Sequence, residues 1–309
     1  MLSRFMDNLS RAASAPCREA LGMNRRNRDL VDQFNLRRRR KLADDKILGK
    51  ALMVAHGVPI PETYAVIDSM RAVARIRNTV SHLEHFVIKP ARGGTGAGIA
   101  VLGPRTPHGW AALSIDVWGE QEIRKQLGQI LFGDFSRRPA DRALIEERLF
   151  PGPLLGDFPL IGLPDIRIIT LHTEPVMAMI RLPTKKSDGK ANLHLGAVGL
   201  GVDLATGRTT TATWQSWPIT DHPDTGLPLR GLAVTGWDRI VDVARDAAHA
   251  VPLPYLGIDV AFTRELTPVV LEVNARPGLE IQNANQRSLR PSLRRLLAVR
   301  SRGGDGGPA

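Results

Sequence analysis

The sequence predicts an α+β protein built mostly from antiparallel sheets. Two pairs of apolar segments are each joined by a short polar turn, DIRIITLH with EPVMAMIRLP (165–183) and GIDVAF with VVLEVN (257–274). Both pairs are typical of β-hairpins. Apolar residues at helical spacing lie before and between these hairpins. The chain shows no internal repeat, so a repeat architecture is not expected.

The first half of the chain mixes helices with single strands. Residues 1–45 are rich in arginine and favour helical structure, and the next helix, 46–56, ends at Gly57 and Pro59. The predicted elements that follow are a strand at 63–67, a helix at 71–80, a strand at 85–90, a glycine-rich loop and strand at 91–102, a helix at 120–135 and a strand at 142–150.

The second half is richer in predicted strands. After the 165–183 hairpin comes a long polar segment, 184–201, and a helix predicted over 232–251 leads into the 257–274 hairpin. A short basic helix is expected after Pro291. The final residues, SRGGDGGPA, have the composition of a disordered tail.

Composition narrows the class of protein. Hydrophobic residues make up 43% of the 309-residue chain, which is enough for one large domain or two coupled lobes. No apolar run approaches the ~20 residues that span a bilayer, and residues 1–20 contain no apolar core with a cleavage site. The single cysteine, Cys17, excludes an internal disulfide. We therefore expect a cytoplasmic protein.

The net charge of +11 is concentrated at the two ends of the chain. Residues 1–50 carry thirteen Lys/Arg against six Asp/Glu, and residues 287–309 carry six Arg against one Asp, so the body is nearly neutral. Such ends fit an acidic protein, an anionic membrane surface or RNA, or they are solvated helix faces with a frayed tail. The neutral body and an aromatic content of 5% disfavour a nucleic-acid-binding protein.

The 257–274 hairpin carries three oxygen-bearing side chains, Asp259, Glu272 and Asn274. Because alternate residues of a strand share a face, Glu272 and Asn274 point the same way. Carboxylate and amide oxygens are the ligands that Mg²⁺ prefers, so the hairpin predicts a site for Mg²⁺ (or Mn²⁺) beside phosphates.

Two lysines and a glycine loop are candidates for binding those phosphates. Lys89 ends an apolar strand just before the loop at 93–98, where glycine lets the backbone approach phosphates closely. Lys46 begins a helix, whose N-terminus favours anions. An ordinary glycine-rich turn and a solvated lysine are the alternatives, and the loop does not match G-x-x-x-x-G-K-[ST].

Polar residues of the middle hairpin and the segment after it are further candidates. Arg167 and Arg181 each lie on an apolar strand, where a guanidinium needs an anionic partner. That partner is either an oxyanion of a ligand or an ordinary surface carboxylate. Asn192 and His194 lie in a segment that fits a lid over a nucleotide or a mobile solvent loop.

The motifs DDK, FVIKP, the glycine loop, LIEERL, DIR, NLH and LEVNARPG occur in the order of the ATP-grasp superfamily. Over roughly residues 20–295 the chain most resembles RimK-like α-L-glutamate ligase-related proteins and the sugar-transfer-associated ATP-grasp group. The resemblance implies the ATP-grasp fold, in which two α+β lobes with mostly antiparallel sheets clasp ATP. It implies an N-lobe at 45–145 and a C-lobe at 146–295. These lobes are flanked by the basic helical segment at 1–44 and the disordered basic tail at 296–309 that composition predicts.

The resemblance also implies roles for individual residues. Nucleotide-binding positions would be Lys46, Lys89, Gly93, Gly94, Thr95, Gly96, Glu146, Glu147, Arg148 and Leu149, with Glu146 or Glu147 on the ribose. Metal ligands would be Asp259, Glu272 and Asn274. Groups acting on the transferred phosphate or the substrate would be Arg167, Arg181, Asn192 and Arg276.

The chain departs from the family pattern in two places. ATP-grasp ligases usually carry a Rossmann-like domain before the first lysine, whereas 45 residues precede Lys46, and we expect a reduced helical N-terminus instead. Alanine, not serine, precedes Asn192. Because the missing domain normally helps to frame the acceptor site, the acceptor is expected to be unusual or the site to be completed by a partner.

The function implied is that of an ATP-dependent ligase, which joins a carboxylate substrate to an amine acceptor through an acyl-phosphate. Glutamate is the donor suggested by the resemblance. Two alternatives stay open: a non-catalytic ATP-binding module with a regulatory or assembly role, and a ligase acting on an amino-sugar or a cell-surface polymer.

Overall fold

The computed structural model describes residues 20–94, 96–113, 116–136 and 139–303. In these ranges the strands form one sheet of six and one of seven, and every pairing between neighbouring strands is antiparallel. The predicted α+β class with antiparallel sheets is therefore confirmed. No helix in the described ranges is long and apolar enough to cross a membrane.

The first sheet has the strand order β1-β6-β2-β3-β4-β5. Helices α4 to α6 cover its apolar face, and their side chains share a core with Phe86, Ile88 and Ile145 of the sheet. The elements are β1 (Thr63–Ile67), α4 (Met70–Ala74), α5 (Ile76–Val80), β2 (Phe86–Pro90), β3 (Ala100–Thr106), β4 (Gly109–Ala112), β5 (Val117–Trp118), α6 (Glu120–Leu131) and β6 (Ala143–Glu146).

The second sheet has the order β11-β10-β9-β8-β7-β12-β13, which places the two predicted hairpins side by side. One of its faces packs on α7 in the largest core cluster. Its elements are β7 (Asp165–Leu171), β8 (Glu174–Leu182), β9 (Val198–Val202), β10 (Thr209–Trp214), β11 (Trp217–Ile219), α7 (Trp237–Ala250), β12 (Tyr255–Phe262), β13 (Pro268–Asn274), α8 (Glu280–Asn285) and α9 (Arg290–Gly303).

The opposite face of the second sheet is covered by both ends of the described chain. Leu30 and Val31 of an N-terminal helix and Leu293 of α9 pack together against strand residues such as Met177 and Met179. The N-terminal elements are α1 (23–34, with a π-helical middle at Asn27–Val31), a 3-10 turn (Arg37–Arg39), α2 (Lys41–Asp44) and α3 (Lys46–Ala55).

Buried Asn35 fixes this N-terminal segment to the sheet. Its side-chain amide donates to the carbonyls of Tyr255 (2.7 Å) and Ala275 (3.0 Å), and its oxygen accepts from Tyr255 N–H (3.0 Å). The helical N-terminus predicted from the sequence is present over the described residues. Residues 1–19, which belong to the same prediction, lie outside them.

The sequence predictions of several elements need correction. The helix at 71–80 is two short helices, and the strand at 142–150 is confined to β6. The end of the polar segment 184–201 is strand β9, and β10 and β11 were not predicted. Helix α9 runs to Gly303, and its Leu293 and Leu296 pack in the core cluster with α1. Residues 304–309 of the predicted disordered tail lie outside the described residues.

Candidate nucleotide and metal site

The β12–β13 hairpin brings the three predicted metal ligands together. Asp259 pairs with Glu272, and Gly257 pairs with Asn274, so all three side chains meet at one end of the hairpin. Asn274 Nδ2 lies 3.3 Å from Glu272 Oε1 and 3.5 Å from Asp259 Oδ2. The described residues contain no group of three His, Cys, Asp or Glu side chains that could hold a metal ion, and the third side chain here is an amide. Two carboxylates and one amide oxygen form a donor set that fits Mg²⁺.

Two arginines from the neighbouring hairpin hold Asp259. Arg167 makes a bidentate pair with its carboxylate (2.7 and 2.6 Å), and Arg181 Nη2 lies 2.7 Å from the same Oδ2. Burial would raise the pKa of Asp259, but the charges of Arg167 and Arg181 outweigh burial and hold this pKa well below its usual range. Asp259 is therefore a permanent anion at the centre of the site.

Arg181 is shared between two carboxylates. Besides Asp259 it pairs with Asp165 at 2.5 and 2.6 Å. Asp165 begins β7 and is buried, so a charged partner is needed to offset its desolvation. The sequence analysis did not assign a role to Asp165, although its place as the first residue of the DIR motif was a usable signal. The guanidinium groups of Arg167 and Arg181 are thus held in place by ion pairs with Asp259 and Asp165.

Lys46 connects the β12–β13 hairpin, called the metal hairpin for its predicted ligands, with the glycine loop. Its ammonium lies 3.4 Å from Glu272 Oε2 and donates to the Gly93 carbonyl at 3.0 Å. It is the first residue of α3, whose N-terminus is capped by the Asp45 side chain. The glycine loop, the N-terminus of α3 and the predicted metal ligand Glu272, which are far apart in sequence, therefore meet at one ammonium group.

Asp45 is a second group that the sequence analysis did not assign. Its buried carboxylate accepts from Arg92 (2.9 Å) and Arg142 (2.7 Å) as well as from Ile47 N–H (3.1 Å). Arg92 precedes the glycine loop, and Arg142 precedes β6. Asp45 therefore fixes Lys46 relative to both segments.

Lys89 lies in a buried triad with Glu146 and Lys50. The Lys89 ammonium lies 2.5 Å from Glu146 Oε2, and the Lys50 ammonium lies 2.6 Å from Glu146 Oε1, so both lysines form ion pairs with this carboxylate. Only 2% of the Glu146 side chain is exposed. Both carboxylate oxygens of Glu146 thus lie beside ammonium groups, and the prediction of Glu146 as a ribose ligand stays a prediction. Lys50 was missed, although its position four residues after Lys46 puts both lysines on one side of α3.

Glu147, Arg148 and Leu149 directly follow β6 and are all partly buried. Glu147 Oε2 accepts from Glu62 N–H at 3.1 Å, and its own N–H donates to the Glu62 carbonyl. Arg148 donates to the Gly103 carbonyl at 2.5 Å and lies over the Phe150 ring. This segment crosses from the first sheet toward the second, which begins at β7.

The remaining predicted residues lie at the edges of the site. Arg276 pairs with Asp44 at 2.6 Å. Asn192 caps the 3-10 turn Leu193–Leu195 by accepting from His194 N–H. A Cβ added at Gly96 would lie 3.7 Å from Asn192 Nδ2, so the glycine loop and the 184–197 segment approach each other. Gly94 is exposed in the loop, and Thr95 lies outside the described residues.

The fold and these groups define a protein of the ATP-grasp superfamily. A family model described as sugar-transfer associated ATP-grasp matches residues 25–298, and the chain belongs to that family. The predicted superfamily and the sugar-transfer-associated group are thus confirmed. Among curated proteins no match was found.

Solved structures similar to this chain include several ligases. The ATP-grasp ligase PsnB with a minimal precursor is 17% identical, with 86% of this chain and 63% of that chain covered and a TM-score of 0.45. D-cycloserine synthetase DcsG is 15% identical (85% and 71% covered, TM-score 0.44). D-alanyl-alanine synthetase A from Vibrio cholerae is 12% identical (83% and 64% covered, TM-score 0.48). The chain spans about three fifths of the length of the PsnB chains.

Proposed function

We propose that the protein is an ATP-dependent ligase that joins a carboxylate to an amine through an acyl-phosphate. The contact of Lys46 with both Gly93 and Glu272 supports this most directly, because it puts a cation between the glycine loop and the metal hairpin. ATP would lie between the lobes at 45–145 and 146–295, with its γ-phosphate at this ammonium. Family membership supports the same type of site.

Asp259, Glu272 and Asn274 would hold Mg²⁺, or Mn²⁺ in its place. The ion would neutralise charge on the ATP phosphates. Lys46 would stabilise the γ-phosphate oxygens, and Arg181 would do so from the opposite side while Asp165 keeps its guanidinium in place. Arg167 would fix the orientation of Asp259. These groups need no rearrangement of the sheet, because the bidentate pairs already set their geometry.

Lys89, the glycines at 93, 94 and 96, and Thr95 would bind the remaining phosphates. The backbone of Arg148 and Leu149 would meet the adenine, and Glu147 rather than Glu146 would meet the ribose. This choice follows from exposure, since Glu147 is partly accessible and Glu146 is enclosed by two lysines.

The carboxylate substrate would attack the γ-phosphate and displace ADP, and the amine would then attack the acyl carbon and displace inorganic phosphate. No nucleophilic side chain is required. Water must be kept from the acyl-phosphate. The glycine loop and the segment that carries Asn192 would close over it, as their proximity at Gly96 suggests.

The substrates are proposed from the family. Glutamate is the first donor to test, because the motifs resemble those of RimK-like ligases. For the acceptor, an amino-sugar or a cell-surface polymer is the alternative to an amino acid or peptide. The sugar-transfer association of the family favours this alternative. We also propose a cytoplasmic location and an acidic protein or anionic membrane surface as the partner of the basic ends.

The test is Mg²⁺-dependent ADP release in a screen of amino acids, peptides and amino-sugars, with the product identified by its mass. A ligase requires both a carboxylate and an amine for full turnover. Binding of a non-hydrolysable ATP analogue without turnover on any pair would favour the non-catalytic alternative. Glutamate fails as the donor if ADP release is unchanged by its addition while another acid accelerates it.

A further inference from the structure

The C-terminal end of the glycine loop is bound to helix α6. The side-chain amide of Gln126, a partly buried residue of α6, donates to the Gly98 carbonyl at 2.7 Å. The carbonyl and the N–H of one trans peptide unit point in opposite directions, so this bond turns the Ile99 N–H away from α6. Gln126 therefore fixes the orientation of the peptide unit with which the loop ends.

Phe135, in the turn after α6, packs on the same glycine. Gly98 has a φ of +78°, and a Cβ added there would lie 2.6 Å from Phe135 Cγ, so the ring lies directly against the glycine backbone. Glycine is required at this position for its conformation and for this close approach. The Phe135 ring also packs against the core cluster of the first sheet, so it joins the end of the loop to that core.

The other end of the glycine loop lies beside the same turn. A Cβ added at Gly93 would lie 3.7 Å from the Phe135 carbonyl oxygen. Gly93 and Gly98 are both partly buried, whereas Gly94 and Gly96 between them are exposed. The ends of the loop are thus held against the turn after α6, and the backbone between them is accessible to a ligand.

We propose that Gln126 and Phe135 are positioning residues that fix the ends of the glycine loop for binding the phosphates of ATP. Both act through the loop backbone rather than through contact with the nucleotide. A carbonyl oxygen that faced the phosphates would repel them, and Gln126 holds the Gly98 carbonyl toward α6 instead. A loop that is already fixed loses less conformational entropy when it binds. The inference rests on the proposed function, because it requires the loop to bind phosphate.

The experiment compares wild type with Gln126→Ala and Phe135→Leu by calorimetry, with a non-hydrolysable ATP analogue and Mg²⁺ and, separately, with adenosine. Adenosine carries no phosphate, so its Kd reports on the rest of the nucleotide site. Gln121→Ala is the control for the amide, because Gln121 is exposed in the first turn of the same helix. Phe132→Leu is the control for the ring, because Phe132 lies in the same turn and is 69% exposed.

Gln126→Ala should raise the Kd of the ATP analogue about fivefold, the effect of one lost hydrogen bond, and leave the Kd of adenosine unchanged. Phe135→Leu should change the two constants in the same direction as Gln126→Ala, and both control variants should behave as wild type. Alanine favours helix formation, so Gln126→Ala keeps the test valid should Phe135→Leu not fold.

Hydrogen exchange of the peptide spanning 91–99, measured without nucleotide, tests the contact itself. Exchange should be faster in Gln126→Ala than in wild type and Gln121→Ala.

An unchanged Kd of the ATP analogue in both variants would overturn the proposal, and so would an equal rise for the analogue and adenosine. Unchanged exchange at 91–99 in Gln126→Ala would also overturn it. If wild type binds neither ligand, the proposed ligase function fails instead, and the exchange measurement separates that failure from the loss of positioning.

Discussion

Lys50 should give the protein a measurable pH-dependence of stability. Its ammonium is buried, and burial, followed by the charge of Lys89, lowers the pKa of Lys50 from 10.5 to about 8 despite the Glu146 carboxylate. At about 1.36 kcal/mol per pKa unit, the charged form is disfavoured in the fold by roughly 3 kcal/mol. Because the unfolded chain binds more protons between these two values, the free energy of unfolding rises with pH across this window.

The perturbation is Lys50→Met, measured by urea unfolding at pH 7.5, 9 and 10.5. In wild type the buried charge of Lys50 destabilises the fold fully below about pH 8 and no longer does so above about pH 10.5. As the pH rises through this window, wild type should therefore gain roughly 3 kcal/mol of unfolding free energy relative to Lys50→Met. Exposed Lys125 provides the control, because Lys125→Met should keep a constant difference from wild type. A constant difference for Lys50→Met as well would refute this account of the buried triad.

Three other variants test the groups around the triad and the glycine loop. Glu146→Gln should destabilise the fold by about 3 kcal/mol, because two buried ammonium groups lose their anion, whereas partly exposed Glu147→Gln should cost less than ~1 kcal/mol in the same urea titration. Lys89→Ala should raise the Kd of an ATP analogue at least about tenfold by calorimetry, and an unchanged Kd would exclude a phosphate contact. Asp45→Ala should lower the free energy of unfolding by about 2 to 4 kcal/mol, because α3 loses its N-cap and two arginines lose their carboxylate. A loss below ~0.5 kcal/mol for Asp45→Ala would show that the cap and ion pairs are replaced by solvent.

The convergence of Asp259, Glu272 and Asn274 could be predicted because strand alternation alone fixes which residues share a face. The sequence could predict that Arg167 and Arg181 need an anionic partner. It could not predict that this partner is Asp259, because the contact depends on the pairing of β7 with β12, which are far apart in sequence. The sequence suggested a ligand oxyanion or a surface carboxylate, and the structure supplies a buried carboxylate.

The pattern of alternating residues in a strand does not distinguish Glu146 from Glu147. All four residues of β6 are buried, so alternation gives no inner or outer face, and two adjacent glutamates cannot be told apart. Strands β10 and β11 were missed for another reason. Their turn uses Gln215 and Ser216 at positive φ, residues that carry little turn signal, where Asn-Gly would have marked a hairpin.

The central claim is that the β12–β13 hairpin holds the metal at the phosphate end of a nucleotide site. The most direct measurement is the Mg²⁺-dependence of the Kd of an ATP analogue for wild type, Glu272→Gln and Glu265→Gln, where Glu265 is exposed in the turn of the same hairpin. We expect Mg²⁺ to tighten binding to wild type and Glu265→Gln and to have little effect on Glu272→Gln, with all three proteins equally folded. An unchanged Mg²⁺-dependence in Glu272→Gln would contradict the claim.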